Sequence, residues 1–136
     1  MRGMEKQNRI ILTNMCMLYR LDGSFLVEMR EKKDWPGLTF PGGHVEKEES
    51  ILESVIREIR EETGYEVSNL EPCGYYEWNV PNENIRHLCL LFKSKDFEGN
   101  LKSSKEGKVF WIKEEEISHY PLSTDFEALY QQMKRY

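Results

Sequence analysis

The sequence predicts a mixed α/β domain in which strands and helices share one core. Two observations support this. Apolar runs of strand length stand on either side of a longer segment with helical periodicity and both helix-end signals. A second helical pattern closes the chain, giving the order strand, helix, strands, helix.

The chain's 136 residues suit a single domain with one core, and no repeat, low-complexity tract or linker divides residues 1–136. Hydrophobic content of 39% and charged content of 32% are those of a soluble globular protein. A net charge of −5 weighs against broad nucleic-acid binding, which needs a basic surface. It leaves a small phosphorylated ligand open, because a bound metal can reverse the local sign. Cys16, Cys73 and Cys89 are odd in number, lie among apolar or aromatic neighbours and show no CxxC spacing, which reads as reduced core thiols. Met1 to Arg9 is polar and lacks the apolar stretch of a secretory signal. The run Ile10–Leu18 contains Thr13 and Asn14 and is too short to span a bilayer. The expected protein is cytoplasmic, soluble and free of membrane.

Ile10–Tyr19 reads as a first strand and Ser24–Met29 as a second, with Asp22-Gly23 between them as a hairpin signal. Glu31 to Pro41 reads as a loop, punctuated by Pro36-Gly37 and Pro41-Gly42-Gly43. Ser50 to Thr63 reads as a helix. Ser50 and Glu53 make a capping box, Gly64 ends the helix, and Ile51, Leu52, Val55, Ile56 and Ile59 form an apolar stripe with Ser54, Glu58, Glu61 and Glu62 mostly away from it. Strands are expected at Cys73–Trp78, His87–Ser94 and Lys108–Lys113, then a helical turn at Glu114–Ser118. A final helix is expected from about Asp125 to Tyr136, with Thr124 and Glu127 as a possible capping box.

The chemistry concentrates between Gly43 and Tyr65. Glu58, Glu61 and Glu62 stand at i, i+3 and i+4, so their carboxylates crowd one side of the helix. Two unit charges about 4 Å apart repel by roughly 1 kcal/mol in water and by more near a protein surface. A hard divalent cation would reverse that penalty, and Mg²⁺ favours a few carboxylates, retained waters and phosphates. Arg57 and Arg60 offer the simpler alternative of a neutralised, solvated acidic face.

The register of these residues with their neighbours decides between the two. The segment resembles the Nudix box, G-x5-E-x7-R-E-U-x-E-E-x-G-U with U a bulky apolar residue, and Gly43, Glu49, Arg57, Glu58, Ile59, Glu61, Glu62 and Gly64 fill its positions in turn. At average residue usage, the fixed positions would match by chance somewhere in such a chain with odds on the order of 10⁻⁷. Tyr65 departs from the aliphatic residue usual at the last position, which bears on packing rather than chemistry. Phe40-Pro41-Gly42-Gly43 is similar to the loop leading into the box of MutT-type members.

The resemblance implies a Nudix fold, a mixed sheet sandwiched between helices. It also implies a Mg²⁺-dependent pyrophosphohydrolase, with Mn²⁺ as a possible substitute. Glu58, Glu61 and Glu62 would be the metal carboxylates, with the backbone carbonyl of Gly42 as a further ligand. Arg57 would orient Glu58, while Glu49 and Gly43 would fix the loop to the helix and Gly64 would permit the left-handed turn. Among the catalytic set Arg57, Glu58, Glu61 and Glu106, the general base stays open between Glu58 and Glu106. Arg30 resembles a phosphate-contacting arginine of the MutT branch. Trp35, Tyr76 and Trp78 could stack on a base, although core packing is the better reading of each. His44, His87 and His119 lack metal-ligand spacing. Thr124 and Asp125 are explained equally by helix capping and by base reading.

The leading expectation is hydrolysis of a nucleoside triphosphate, such as the oxidised purine 8-oxo-dGTP, to a monophosphate and pyrophosphate. Pro81, sixteen residues past the box, is a spacing associated with ADP-ribose pyrophosphatases and supports the alternative of a nucleoside diphosphate sugar. A non-catalytic nucleotide-sensing module is disfavoured because the box is complete. The expected partner is a small nucleotide, not a nucleic acid, handled by a monomer or homodimer.

Overall fold

The computed structural model describes residues 9–79 and 84–136. Its strands are β1 (Arg9–Leu18), β2 (Phe25–Arg30), β3 (Gly37–Thr39), β4 (Gly42–His44), β5 (Tyr65–Ser68), β6 (Glu71–Asn79), β7 (Ile85–Ser94), β8 (Asp96–Gly99) and β9 (Gly107–Ile112). Helix α1 (Ile51–Thr63) falls between β4 and β5, and helix α2 (Phe126–Arg135) ends the chain after a 3₁₀ turn at Glu114–His119.

The strands form a four-stranded mixed sheet in the order β4-β1-β7-β6, a three-stranded sheet β3-β2-β9 and a pair β5-β8. β1 and β7 run parallel from Arg9↔Ile85 to Leu18↔Ser94. A parallel neighbour needs cover on both faces, and β1 supplies for that: Cys16 and Leu18 join the apolar cluster with Val55 and Ile59 of α1, while Met17 joins the cluster with Phe126, Leu129 and Met133 of α2. The sheets are therefore sandwiched between the two helices, as expected. All three cysteines are buried and free, and burial pushes the Cys89 thiol up to about 12 and Cys73 up to about 11. No helix among the described residues is long and apolar enough to cross a membrane.

Helix α1 is made by its ends and by its packing. Ser50 Oγ accepts from the Glu53 N–H at 3.1 Å, and the Ser50 N–H donates to Glu53 Oε1 at 2.8 Å. Gly64 adopts φ 84°, and a Cβ there would lie 2.4 Å from the Asn100 carbonyl oxygen. The stripe needs correction on both sides. Leu52 is exposed, whereas Ser54 and Glu62 are buried. A second face of α1 packs against β4 and β1, where Asn14 Nδ2 donates to Ser54 Oγ at 2.8 Å.

Other expectations also change. The Asp22-Gly23 turn closes, with the Gly23 N–H donating to the Arg20 carbonyl, but only the single bridge Tyr19↔Phe25 follows it. β1 and β2 then part into different sheets instead of forming a hairpin. The loop Glu31–Pro41 contains β3, whose Leu38 is fully buried and exchanges backbone hydrogen bonds with Pro121 and Ser123. Thr124 caps nothing: Asp125 is the residue preceding α2, at φ 64° with no side-chain cap. Pro81 lies outside the described residues.

Candidate functional site

Three carboxylates meet beneath the turn from β4 to α1. β2 delivers Glu28 into the interior because its strand lies between β3 and β9, and Glu28 is only 1% exposed. Its Oε1 has no hydrogen-bond partner among the described residues. α1 delivers Glu58 and Glu62 from successive turns, and Glu62 is 3% exposed. The Gly42 N–H donates to Glu62 Oε2 at 3.2 Å. The Glu62 carboxyl also lies in hydrogen-bonding reach of Glu58 and of Glu28. Burial first, and then these two neighbours, push the Glu62 carboxyl far above the usual carboxylate range. Burial raises Glu28 as well.

The loop is shaped to admit this group. A Cβ on Gly43 would lie 2.6 Å from the Glu58 carboxyl carbon, and one on Gly42 would lie 2.0 Å from the Asn14 carbonyl oxygen. Glycine at both positions lets the backbone approach the acids and β1 directly. Arg57 locks the arrangement from outside. Its Nε and Nη2 grip Glu49 at 2.9 and 2.8 Å, Nη1 donates to Glu58 at 2.8 Å and Glu61 at 2.9 Å, and Nη2 also reaches the His44 carbonyl at 3.0 Å. One guanidinium fork thus joins β4, the loop and α1. The same guanidinium holds the Glu49 carboxyl down at about 2.

The sequence-derived metal set is placed in two groups. Gly42, Glu58 and Glu62 are brought together, and the Gly42 N–H donates to Glu62. Glu61 is turned outward to Arg57 with its side chain 53% exposed. Glu28 was missed, although a lone acid in Phe25-Leu26-Val27-Glu28 was a visible signal. Glu62 stands between Glu28 and Glu58 in a row, and among the described residues no three acidic, His or Cys side chains already surround one point. All the same, a donor set of buried, mutually repelling carboxylates with an orphaned oxygen suits a hard divalent cation.

A pocket of about 560 Å³ opens beside these acids, lined by Glu28, Gly42 and Gly43 at one end. Arg30 lines it too, where its guanidinium is shared at 3.3–3.4 Å between Asp34 and Glu106. Glu106 also binds Lys32, at 3.0 Å, so it reaches the pocket through Arg30. Ile11, His87, Trp35 and Trp78 line the remainder. Trp35 meets Trp78 edge to face, with centroids 5.0 Å apart. The Trp78 indole N–H donates to Asp125 Oδ2 at 3.0 Å. Core packing holds for Tyr76 but is not the whole role of the two tryptophans: Trp78 packs on the core and also lines the pocket, and Trp35 belongs to the pocket alone. His44 and His87 line it as well, whereas His119 closes the 3₁₀ turn elsewhere.

A buried acidic cluster held to a glycine loop by one arginine thus lies beside a pocket of about 560 Å³ in an α/β/α sandwich. Residues 11–134 match the family model for the NUDIX domain, and the chain belongs to the Nudix family, as a hydrolase of the pyrophosphohydrolase type. It is 35% identical over 104 residues to the CTP pyrophosphohydrolase of Escherichia coli, covering 75% of this chain and 76% of that protein. It is 30% identical over 112 residues to the Nudix hydrolase YvcI of Bacillus subtilis, covering 79% and 69% respectively. Among solved structures, a MutT protein from Bacillus halodurans superposes with a TM-score of 0.75 at 29% identity, over 89% of this chain and 80% of that one.

Proposed function

We propose that this chain hydrolyses a nucleoside triphosphate to a nucleoside monophosphate and pyrophosphate, with Mg²⁺ as its metal. The observation that carries the reading is a row of acids in which Glu28 lines a pocket shared with Gly42, Gly43, Trp35 and Trp78, with Glu62 and then Glu58 behind it. Glu28, Glu58 and Glu62 would hold the cation, which when bound supplies Lewis-acid stabilisation of charge on the phosphoryl oxygens. Glu61 lies one turn away on the same guanidinium and serves the outer edge of that site.

The chain's own residues do the rest. Arg57 fixes Glu58 and Glu61 in place by charge-assisted hydrogen bonds. Arg30 exchanges its long contacts to Asp34 and Glu106 for the substrate's phosphates, which a planar guanidinium fits well. Glu58 is the first candidate for taking the proton of the attacking water and Glu106 the second, and Glu58→Gln against Glu106→Gln separates them. The triphosphate preference draws on the relatives, a CTP pyrophosphohydrolase and a MutT protein. An oxidised purine such as 8-oxo-dGTP belongs to the same substrate class.

A panel of ordinary and oxidised triphosphates, ADP-ribose and dinucleoside polyphosphates, assayed with Mg²⁺ or Mn²⁺, tests the proposal. A triphosphate should give the highest kcat/KM. Higher turnover of ADP-ribose would overturn the substrate assignment, and inactivity on every compound would favour a nucleotide sensor.

A further inference from the structure

Buried polar atoms without partners are rare in folded proteins, and each calls for a reason. Among the described residues such side-chain atoms belong to Glu28, Trp35, Thr39 and Trp111, and the first three residues line the same pocket. The Glu28 oxygen belongs with the acidic cluster. The Trp35 indole N–H has no such explanation.

Trp35 also sits at φ 90°, a left-handed backbone that a bulky residue adopts only where its surroundings impose it. Those surroundings are visible. The Trp35 ring abuts Trp78 edge to face, and Trp78 is pinned through its own N–H to Asp125, a second residue at positive φ. The Trp78 donor is therefore spent, and the Trp35 donor is held in a fixed place, buried in the pocket wall and without a partner.

The sheet register places Trp78, and with it the Trp35 ring that abuts it, relative to the acidic end. Met15 pairs with Gly42 at the acidic end, Ile11 pairs with His87, and His87 pairs with Trp78. Four residues of β1 separate the two ends, roughly 13 Å of strand. A nucleotide with its phosphates at the Gly42 end thus places its base at the tryptophan end. An indole N–H donates and cannot accept.

We infer that Trp35 is a specificity-determining residue whose indole N–H donates to a ring-carbonyl oxygen of the nucleobase. The inference rests on the nucleotide reading proposed above. It assigns the substrate class to bases that carry a carbonyl: uracil, thymine, cytosine and guanine, including oxidised guanine. Adenine has none: its acceptors are ring nitrogens, and at the position where guanine carries a carbonyl its amino group would set donor against donor.

The direct test compares inosine and adenosine monophosphates, which differ by a carbonyl in place of an amino group, in binding titrations with the wild-type protein. Inosine monophosphate should bind about tenfold tighter, the effect of one satisfied hydrogen bond. Trp35→Phe keeps a ring and removes the donor, so it should erase that preference while ribose 5-phosphate binds unchanged. On the best triphosphate it should raise KM about tenfold with kcat within about twofold. Equal binding of the two monophosphates by wild type would overturn the inference without any variant. So would a variant that retains the preference, or one that weakens ribose 5-phosphate equally. The proposed reaction stands or falls separately: a preference for inosine monophosphate with no triphosphate hydrolysed would keep the base assignment and remove the reaction, and hydrolysis without that preference would do the reverse.

Discussion

Glu62→Gln should stabilise the metal-free protein as it abolishes turnover, and the stabilisation should grow with pH. The Glu62 carboxyl is buried, and burial with Glu58 and Glu28 beside it raises its affinity for a proton in the fold. An unfolded glutamate releases its proton near pH 4.3. Above that pH the folded state keeps a proton that the unfolded chain has lost, so stability falls as pH rises through the window up to the raised value. One proton retained by the fold from pH 5 to pH 7 corresponds to about 2.7 kcal/mol. For a domain of this size that is a Tm loss of about 8 °C. Glutamine fills the same space, can accept from the Gly42 N–H and does not titrate. Calorimetry of both proteins in chelator at pH 5, 6 and 7 reads the effect as a widening gap between two curves. Glu49, Glu66 and Glu114 are held low by their cation partners and contribute equally to both curves. Mn²⁺ should restore the wild type and leave the variant unchanged, and turnover of the variant should drop by orders of magnitude. Parallel curves, or a variant less stable than wild type at pH 7, would refute the reasoning.

Arg57→Lys replaces a fork that holds Glu49, Glu58 and Glu61 with a single ammonium. Steady-state assays should show turnover down 10–100-fold, the usual cost of disturbing a residue that orients metal ligands, against a stability loss of about 2 kcal/mol. Gly43→Ala pushes a methyl into the Glu58 carboxylate, so kcat should fall while circular dichroism stays that of wild type. Ser50→Ala removes the α1 cap and should lower stability by about 1 kcal/mol with kcat unchanged.

What the sequence disclosed depended on how local the cause was. Helix α1 was legible because its signals lie within it: Ser50, Glu53 and Gly64 each act within one turn. The strands β3 and β4 were hidden because their three-residue segments are strands only through partners far along the chain, β2 for one and β1 for the other. The acids divided in the same way. Glu58 and Glu62 were singled out by their register with Gly43, Glu49, Arg57 and Gly64, but helical periodicity placed Glu62 away from the core, and only the second packed face of α1 buries it. Glu28 and the tryptophan wall joined the site through β2, β6 and the loop before β3, so no local pattern connected them to the box. Arg30 was singled out by its place at a strand end, yet its pairing with Glu106 depends on β2 and β9 lying side by side.

An acidic row that holds the metal should direct cleavage within a pyrophosphate link. Phosphorus NMR of a wild-type reaction on a nucleoside triphosphate with Mg²⁺ tests it most directly. Nucleoside monophosphate and pyrophosphate should form in equal amounts, with formation halted by chelator. Release of orthophosphate with nucleoside diphosphate, or product formation that continues in chelator, would contradict it.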